Sequence, residues 1–205
     1  MLSCMEDNEA RLSGIVSGEP ELSHEVHGER FYKFCVKSRR LSENEDILIV
    51  TAPESLLADN EIHEGDSVEI GGQFRSYNNY SGIGNKLVLT LFAKSLYKCD
   101  EISESYNEVF LNGYVCKEIV CRVTPFGREI ADILLAVNRA YNKSDYIPCI
   151  AWGRNARRLK DVPVGTNLKI CGRMQSRQYE KKINECETEK KTAFEVSVSK
   201  VEIAE

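Results

Sequence analysis

The sequence predicts an all-β protein of two tandem five-stranded Greek-key barrels, each with one short helix. Three observations lead there. The 205-residue chain nearly repeats itself, with Val68-Glu69-Ile70-Gly71-Gly72-Gln73-Phe74-Arg75-Ser76-Tyr77 aligning with Leu168-Lys169-Ile170-Cys171-Gly172-Arg173-Met174-Gln175-Ser176-Arg177. Leu12-Ser13-Gly14 likewise aligns with Leu111-Asn112-Gly113, Gly28 with Gly127, and His63-Glu64-Gly65-Asp66 with Pro163-Val164-Gly165-Thr166, all at spacings of 99 or 100. A period near 100 exceeds the ~20–50 residues of a solenoid repeat, so one small domain has been duplicated. Within each copy, apolar residues alternate in strand-like runs separated by Pro, Gly and Asn breaks. Between the third and fourth runs lies a short stretch of helix formers.

The second copy reads most clearly. Phe110 to Val115 opens it as a β-rich run, and Thr124-Pro125-Phe126-Gly127 is a turn. The run 129–137 alternates as a long strand, Asn142-Lys143-Ser144-Asp145 breaks it, and 146–152 resumes it. The break exceeds two residues, so the connection is a looped hairpin and not a tight turn. The segment 153–160 is a short helix ended by Asp161-Val162-Pro163. A strand over 166–174 carries Gly172, which marks a bulge or sharp bend. The charged stretch 181–191 lacks apolar periodicity and reads as a flexible loop; 193–203 alternates as the last strand. In the first copy the runs 31–36, 47–51, 67–74 and 86–96, with a helix near 53–58, follow the same plan. Five strands with a helix between the third and fourth is the layout of an OB fold. The expected organisation is a flexible tail over 1–9, a first OB fold over 10–98, a linker over 99–108 and a second OB fold over 109–203.

Charge divides the copies. Residues 1–108 hold 10 Lys and Arg against 20 Asp and Glu, whereas 109–205 hold 17 against 12. Phosphate is attracted to a basic surface and repelled by an acidic one, so affinity for nucleic acid is expected mainly in the second copy. The longest apolar runs are far short of a membrane span, and no secretory signal is visible at the N-terminus, so a cytoplasmic, nucleoid-associated protein is expected. The eight cysteines contain no Cys-x-x-Cys pair and read as free, buried thiols in a reducing compartment. His24 and His27 lack further ligands at metal-site spacing, no phosphate-cradling Gly-x-x-x-x-Gly-Lys run occurs, and no catalytic set is visible. The expectation is therefore a non-enzymatic protein with no metal and no cofactor.

Binding a single strand without sequence preference needs cations for the backbone and aromatic faces for the bases. The second copy interleaves both: Arg139 with Tyr141, Trp152 with Arg154, Arg177 with Tyr179. The segments Leu135-Ala136-Val137-Asn138-Arg139-Ala140-Tyr141, Asp145 to Arg154 and Cys171 to Tyr179 closely resemble the bacterial single-stranded DNA-binding protein family. That resemblance covers residues 109–203. It implies base stacking on Tyr141, Tyr146, Trp152 and Tyr179, and phosphate contacts from Arg139, Lys143, Arg154, Arg173 and Arg177. Arg157 and Arg158, on the helix, read as a solvated face. In the first copy Thr51-Ala52-Pro53 stands where the tryptophan would be, and secondary contacts fall to Arg75, Tyr77, Tyr80, Lys37 and Arg39. The first copy is expected mainly to build the assembly.

The resemblance implies single-stranded DNA as the partner, in replication, recombination or repair. Because the family usually carries one OB fold per chain in a tetramer, two per chain imply a homodimer with four. The family's acidic, aromatic C-terminal tip has no counterpart before Glu205, which puts recruitment of replication and repair proteins through it in doubt. A protein-interaction or primosome-like accessory module with weak nucleic-acid affinity is the alternative, favoured by the acidic first copy.

Overall fold

The computed structural model describes residues 7–40, 44–79, 87–102, 105–182 and 188–204. The first copy comprises β1 (Asn8–Val26), β2 (Glu29–Arg39), β3 (Glu45–Pro53), α1 (Glu54–Asn60), β4 (Ser67–Asn78) and β5 (Leu87–Cys99). The second comprises β6 (Asn107–Val115), β7 (Val120–Val123), β8 (Glu129–Arg139), β9 (Lys143–Trp152), α2 (Arg154–Leu159), β10 (Asn167–Lys182) and β11 (Thr188–Ile203). In each copy the strands close on themselves, β2-β3-β5-β4-β1 with β1 back on β2, and β6-β10-β11-β9-β8 with β8 back on β6. The β3–β5 and β9–β11 pairs are parallel and all others antiparallel. Two OB barrels result. Repeat-related apolar positions fill them, for Leu12 and Leu111, and Ile70 and Ile170, are all fully buried.

Four local differences from the sequence reading have physical causes. Strand β1 begins within the expected tail, because the Asn8 side chain exchanges two hydrogen bonds with the backbone of Phe74, at 2.8 and 2.9 Å. The expected linker is shortened at both ends by β5 and β6, and Tyr106 within it accepts the Ser13 N–H and donates its own N–H to Ser13 Oγ. A short strand, β7, is added in the second copy to the five expected, after the chain turns at Cys116 to donate to the Leu134 carbonyl at 3.0 Å. Finally, the charged stretch 181–191 is strand at both ends. The β10–β11 ladder continues into it, with Glu180 opposite Lys190 and Lys181 opposite Glu189 in the backbone register. Residues 183–187, within that expected loop, lie outside the described residues, as does the N-terminal part of the expected tail, 1–6.

Gly72 and Gly172 explain one repeat anchor. Both sit at β-bulges, where β4 and β10 bend across β5 and β11. A Cβ at Gly72 would stand 2.0 Å from the Phe92 carbonyl oxygen, and one at Gly172 would stand 2.3 Å from that of Ser197. Of the cysteines expected to be buried, Cys149 is buried, but Cys121 and Cys171 are exposed, on outward positions of their strands. Cys4 and Cys186 lie outside the described residues. Among the described residues no helix is long and apolar enough to cross a membrane.

The two barrels join along β1 and β6. These strands pair antiparallel with Asn8 opposite Leu111 and Leu12 opposite Asn107, centred on Ala10 opposite Val109. Val109 is the repeat equivalent of Ala10, so the copies meet about a local two-fold axis, as two identical subunits would. On either side of it the contact is reciprocal. Asp46, at the start of β3, accepts the Ser176 N–H at 2.9 Å, while Ser176 Oγ accepts the Ile47 N–H at 3.2 Å. In the second copy, Asp145 accepts the Ser76 N–H at 2.9 Å and Ser76 Oγ accepts the Tyr146 N–H at 2.7 Å. Asp46 and Asp145 are 0% and 1% exposed. A buried carboxylate is stable only when paired, and arginines supply the pairing here.

Two variants test this description by urea unfolding. Gly172→Ala forces Cβ onto a backbone oxygen and is expected to cost about 2 kcal/mol. Ser76→Ala strands the Tyr146 N–H at the seam and is expected to cost about 1–3 kcal/mol; a loss below 0.5 kcal/mol would mean that water replaces the serine.

Candidate functional site

The outer faces of the barrels beside the seam carry two grooves. The groove of the second copy, of about 480 Å³, is lined by Trp152, Arg173, Gln175, Arg177 and Ser197, and by Arg40, Asn44 and Glu45 of the first copy. Trp152 ends β9 opposite Ile130 and is 40% exposed, so it faces outward and not into the core. Gly153, directly after it, adopts φ +53° and ψ −114°, a conformation closed to L side chains, and this turns the chain from β9 into α2. Tyr146, 48% exposed, shares the outward alternation of β9 with Trp152.

Tyr141 stands at the tip of the β8–β9 hairpin and is 94% exposed. The connection between Arg139 and Lys143 is three residues long, and Tyr141 and Asn142 turn it with φ of +62° and +53°. A left-handed conformation costs a residue with a Cβ roughly 1–2 kcal/mol, so the fold holds this ring out against local preference. Lys143 and Arg154 are exposed at the starts of β9 and α2.

The other cations are engaged. Asp46 binds Arg40 through Nε at 2.6 Å and also through Nη2, and it accepts from Arg173 Nη1 at 3.0 Å. Hydrogen bonding to Asp46 holds the Arg40 pKa above its ordinary value, whereas burial, and then Arg40 itself, push that of Arg173 down. Asp145 pairs with Arg139 at 3.2 Å, and burial raises its pKa against the pull of the Ser76 N–H and of Arg139 and Arg75. Arg177 faces buried Glu195 at 3.5 Å, and Glu195 also accepts from Gln175 at 2.7 Å. Of the five predicted phosphate ligands, Arg139, Arg173 and Arg177 are thus paired with carboxylates, and Lys143 and Arg154 are set on the surface.

The groove of the first copy is the larger, about 800 Å³, and is lined by Lys33, Arg75, Tyr77, Phe92 and His24, with Arg139 reaching in from the second copy. Arg75 lies over the Phe92 ring at 3.9 Å, and Phe92 continues through Phe31 at 5.7 Å to a stacked His24 at 5.0 Å. Phe31 and Phe92 were not singled out from sequence as contacts. Desolvation raises the Tyr77 pKa, in keeping with its half-buried position. Lys37 and Arg39 are exposed on β2. Tyr80, and the side chain of Tyr179, lie outside the described residues. Among the described residues no group of three His, Cys, Asp or Glu side chains is placed to hold a metal ion.

The family model for the single-strand binding protein family matches residues 106–204. The second half of the chain is thus similar to that family. Single-stranded DNA-binding protein A of Bacillus subtilis is 35% identical over 81 residues, covering 36% of this chain and 47% of that protein. Single-stranded DNA-binding protein 1 of Streptococcus pyogenes is also 35% identical over 81 residues, covering 62% of its own length. The chain thus spans about half to three-fifths of these relatives' length. The structure of the wild-type single-stranded DNA binding protein from Thermus aquaticus superposes with a TM-score of 0.76 at 17% identity, over 97% of this chain and 93% of that one. The common fold therefore extends over both copies and their arrangement. The single-strand binding family match, by contrast, is confined to the second copy, where the outward aromatics of the β8–β9 hairpin lie.

The repeat anchors used in the sequence reading did not include Arg40 or Asp46. At a spacing of 99, Arg40 and Asp46 fall on Arg139 and Asp145, the same arginine six residues ahead of the same aspartate. Strain at Tyr141 gives a test that separates site from scaffold. Tyr141→Asn, which accepts the left-handed conformation, is expected to raise stability by about 1 kcal/mol in thermal unfolding.

Proposed function

We propose that the chain binds single-stranded DNA without performing chemistry on it, the strand crossing the β8–β9 face of the second copy. The observation that carries this is the half-exposed Trp152 in a groove with Arg173 and Arg177, on the strand whose hairpin presents Tyr146 and a strained, outward Tyr141. Bases stack on the four predicted rings, Tyr141, Tyr146, Trp152 and Tyr179. Phosphates meet Lys143, Arg154, Arg177 and the seam arginines Arg139 and Arg173. The names of the relatives support the choice of ligand, and a role in replication, recombination or repair follows from it. Arg75, Tyr77, Tyr80, Lys37 and Arg39 make the first copy's secondary contacts. We also propose that two chains associate through the outer face around β1 and β6, where Ile15, Tyr97 and Tyr114 stay exposed, giving four OB folds.

Trp152 is the single tryptophan, so its fluorescence reports this groove alone. Titration with oligo-dT is expected to quench it, with affinity falling as salt rises by about 0.7 log units per log unit of salt for each phosphate neutralised. Tyr141→Ala is expected to weaken binding of a labelled oligomer roughly tenfold or more, the effect of losing one stacking face. Absent quenching, or a salt-independent affinity, would refute this reading. Light scattering of the free protein tests the dimer.

A further inference from the structure

The two grooves are not the property of one copy each. Arg40 leaves the first copy and lines the groove of the second beside Trp152, Arg173 and Arg177; Arg139 leaves the second copy and lines the groove of the first beside Arg75, Tyr77 and Phe92. Each arginine is held by the aspartate six residues after it, and each aspartate is held by a serine N–H of the opposite barrel. The arrangement is symmetric although the surrounding residues have diverged.

The electrostatics give this a purpose beyond fastening the barrels. At Asp46 two guanidiniums share one buried carboxylate, leaving one excess positive charge at the floor of a groove open to solvent. The bonds from Arg40 to Asp46 and to the Ser176 carbonyl use its Nε and Nη2, leaving Nη1 out of them. Burial and the neighbouring Arg40 disfavour the charged form of Arg173, and a bound anion would relieve both. A guanidinium fixed in place loses little further freedom when it meets a phosphate.

Building on the single-strand reading above, we infer that the grooves are completed crosswise. Arg40 is a phosphate ligand in the groove of the second copy and Arg139 one in the groove of the first, with Asp46 and Asp145 as the residues that position them. The ligand is the sugar-phosphate backbone of one strand crossing the seam, so the acidic first copy supplies a cation to the basic copy's site.

The test uses the full chain, oligo-dT and Trp152 quenching over a range of salt. Arg40→Gln keeps an N–H donor for Asp46 but removes the charge. It is expected to weaken binding about tenfold and to reduce the salt slope by about 0.7, one phosphate contact. Arg40→Lys, which keeps the charge, should retain the wild-type slope. Arg30→Gln removes the same charge from the same copy at a surface pair with Glu54 and should alter neither quantity. An Arg40→Gln chain that unfolds normally yet keeps the wild-type slope overturns the proposal, as does an equal deficit in Arg30→Gln, which would mark a general field effect. If wild-type Trp152 responds to no oligomer, it is the single-strand reading that fails. If Arg40→Gln does not fold, the double variant Arg40→Gln with Asp46→Asn, which removes the buried carboxylate together with its partner, decides: a wild-type slope in it overturns the proposal.

Discussion

The antiparallel pairing of β1 with β6, closed on each side by a buried aspartate, is the constraint on which the rest of the structure depends. A barrel's first strand has an edge with unpaired N–H and C=O groups, and an edge of that kind is a liability unless it is covered. Here each copy covers the edge of the other. The centre of the register falls on equivalent residues, so duplication reproduces within one chain the geometry of two identical subunits. Asp46 and Asp145 then lock the flanks by accepting backbone donors of the opposite barrel. Their burial makes the arginines beside them obligatory.

That requirement links scaffold and site. An unpaired carboxylate at the seam would be strongly destabilising, and the arginines that pair it lie along the grooves. Cations needed for folding thus stand where an anionic polymer would pass. The aromatic side follows a different logic. Tyr141 is held out at the tip of a hairpin in a backbone conformation it disfavours, and Trp152 precedes a glycine with a torsion that no other residue tolerates. Local strain and exposed rings gather on the β8–β9 hairpin and its junction with α2.

Much of the fold was legible because duplication allowed each copy to be read against the other. Strand alternation, the short helix and the bulge glycine all carry local signals, and they placed most elements of both barrels. The ends of strands were less legible. The charged segment at 181–191 reads as a loop by hydropathy, yet the β10–β11 ladder continues into both its ends. Asn8 reads as tail, yet it is anchored by a strand 66 residues away. The exposed aromatics Tyr141, Tyr146 and Trp152 were visible in sequence through their interleaving with cations. Phe31, Phe92 and Arg40 were not, since their roles come from contacts with distant strands and, for Arg40, with the other copy.

By itself the sequence determined that one barrel is present twice, which copy is acidic and which basic, and which residue types are available to meet bases and phosphates. These are properties of composition, period and local backbone preference. Only the tertiary structure decided which arginine serves which barrel. Burial of Asp46 and Asp145 at the seam depends on residues about 70 and 130 positions away, and a carboxylate draws its counter-charge from whatever the fold brings near, irrespective of the copy that encodes it.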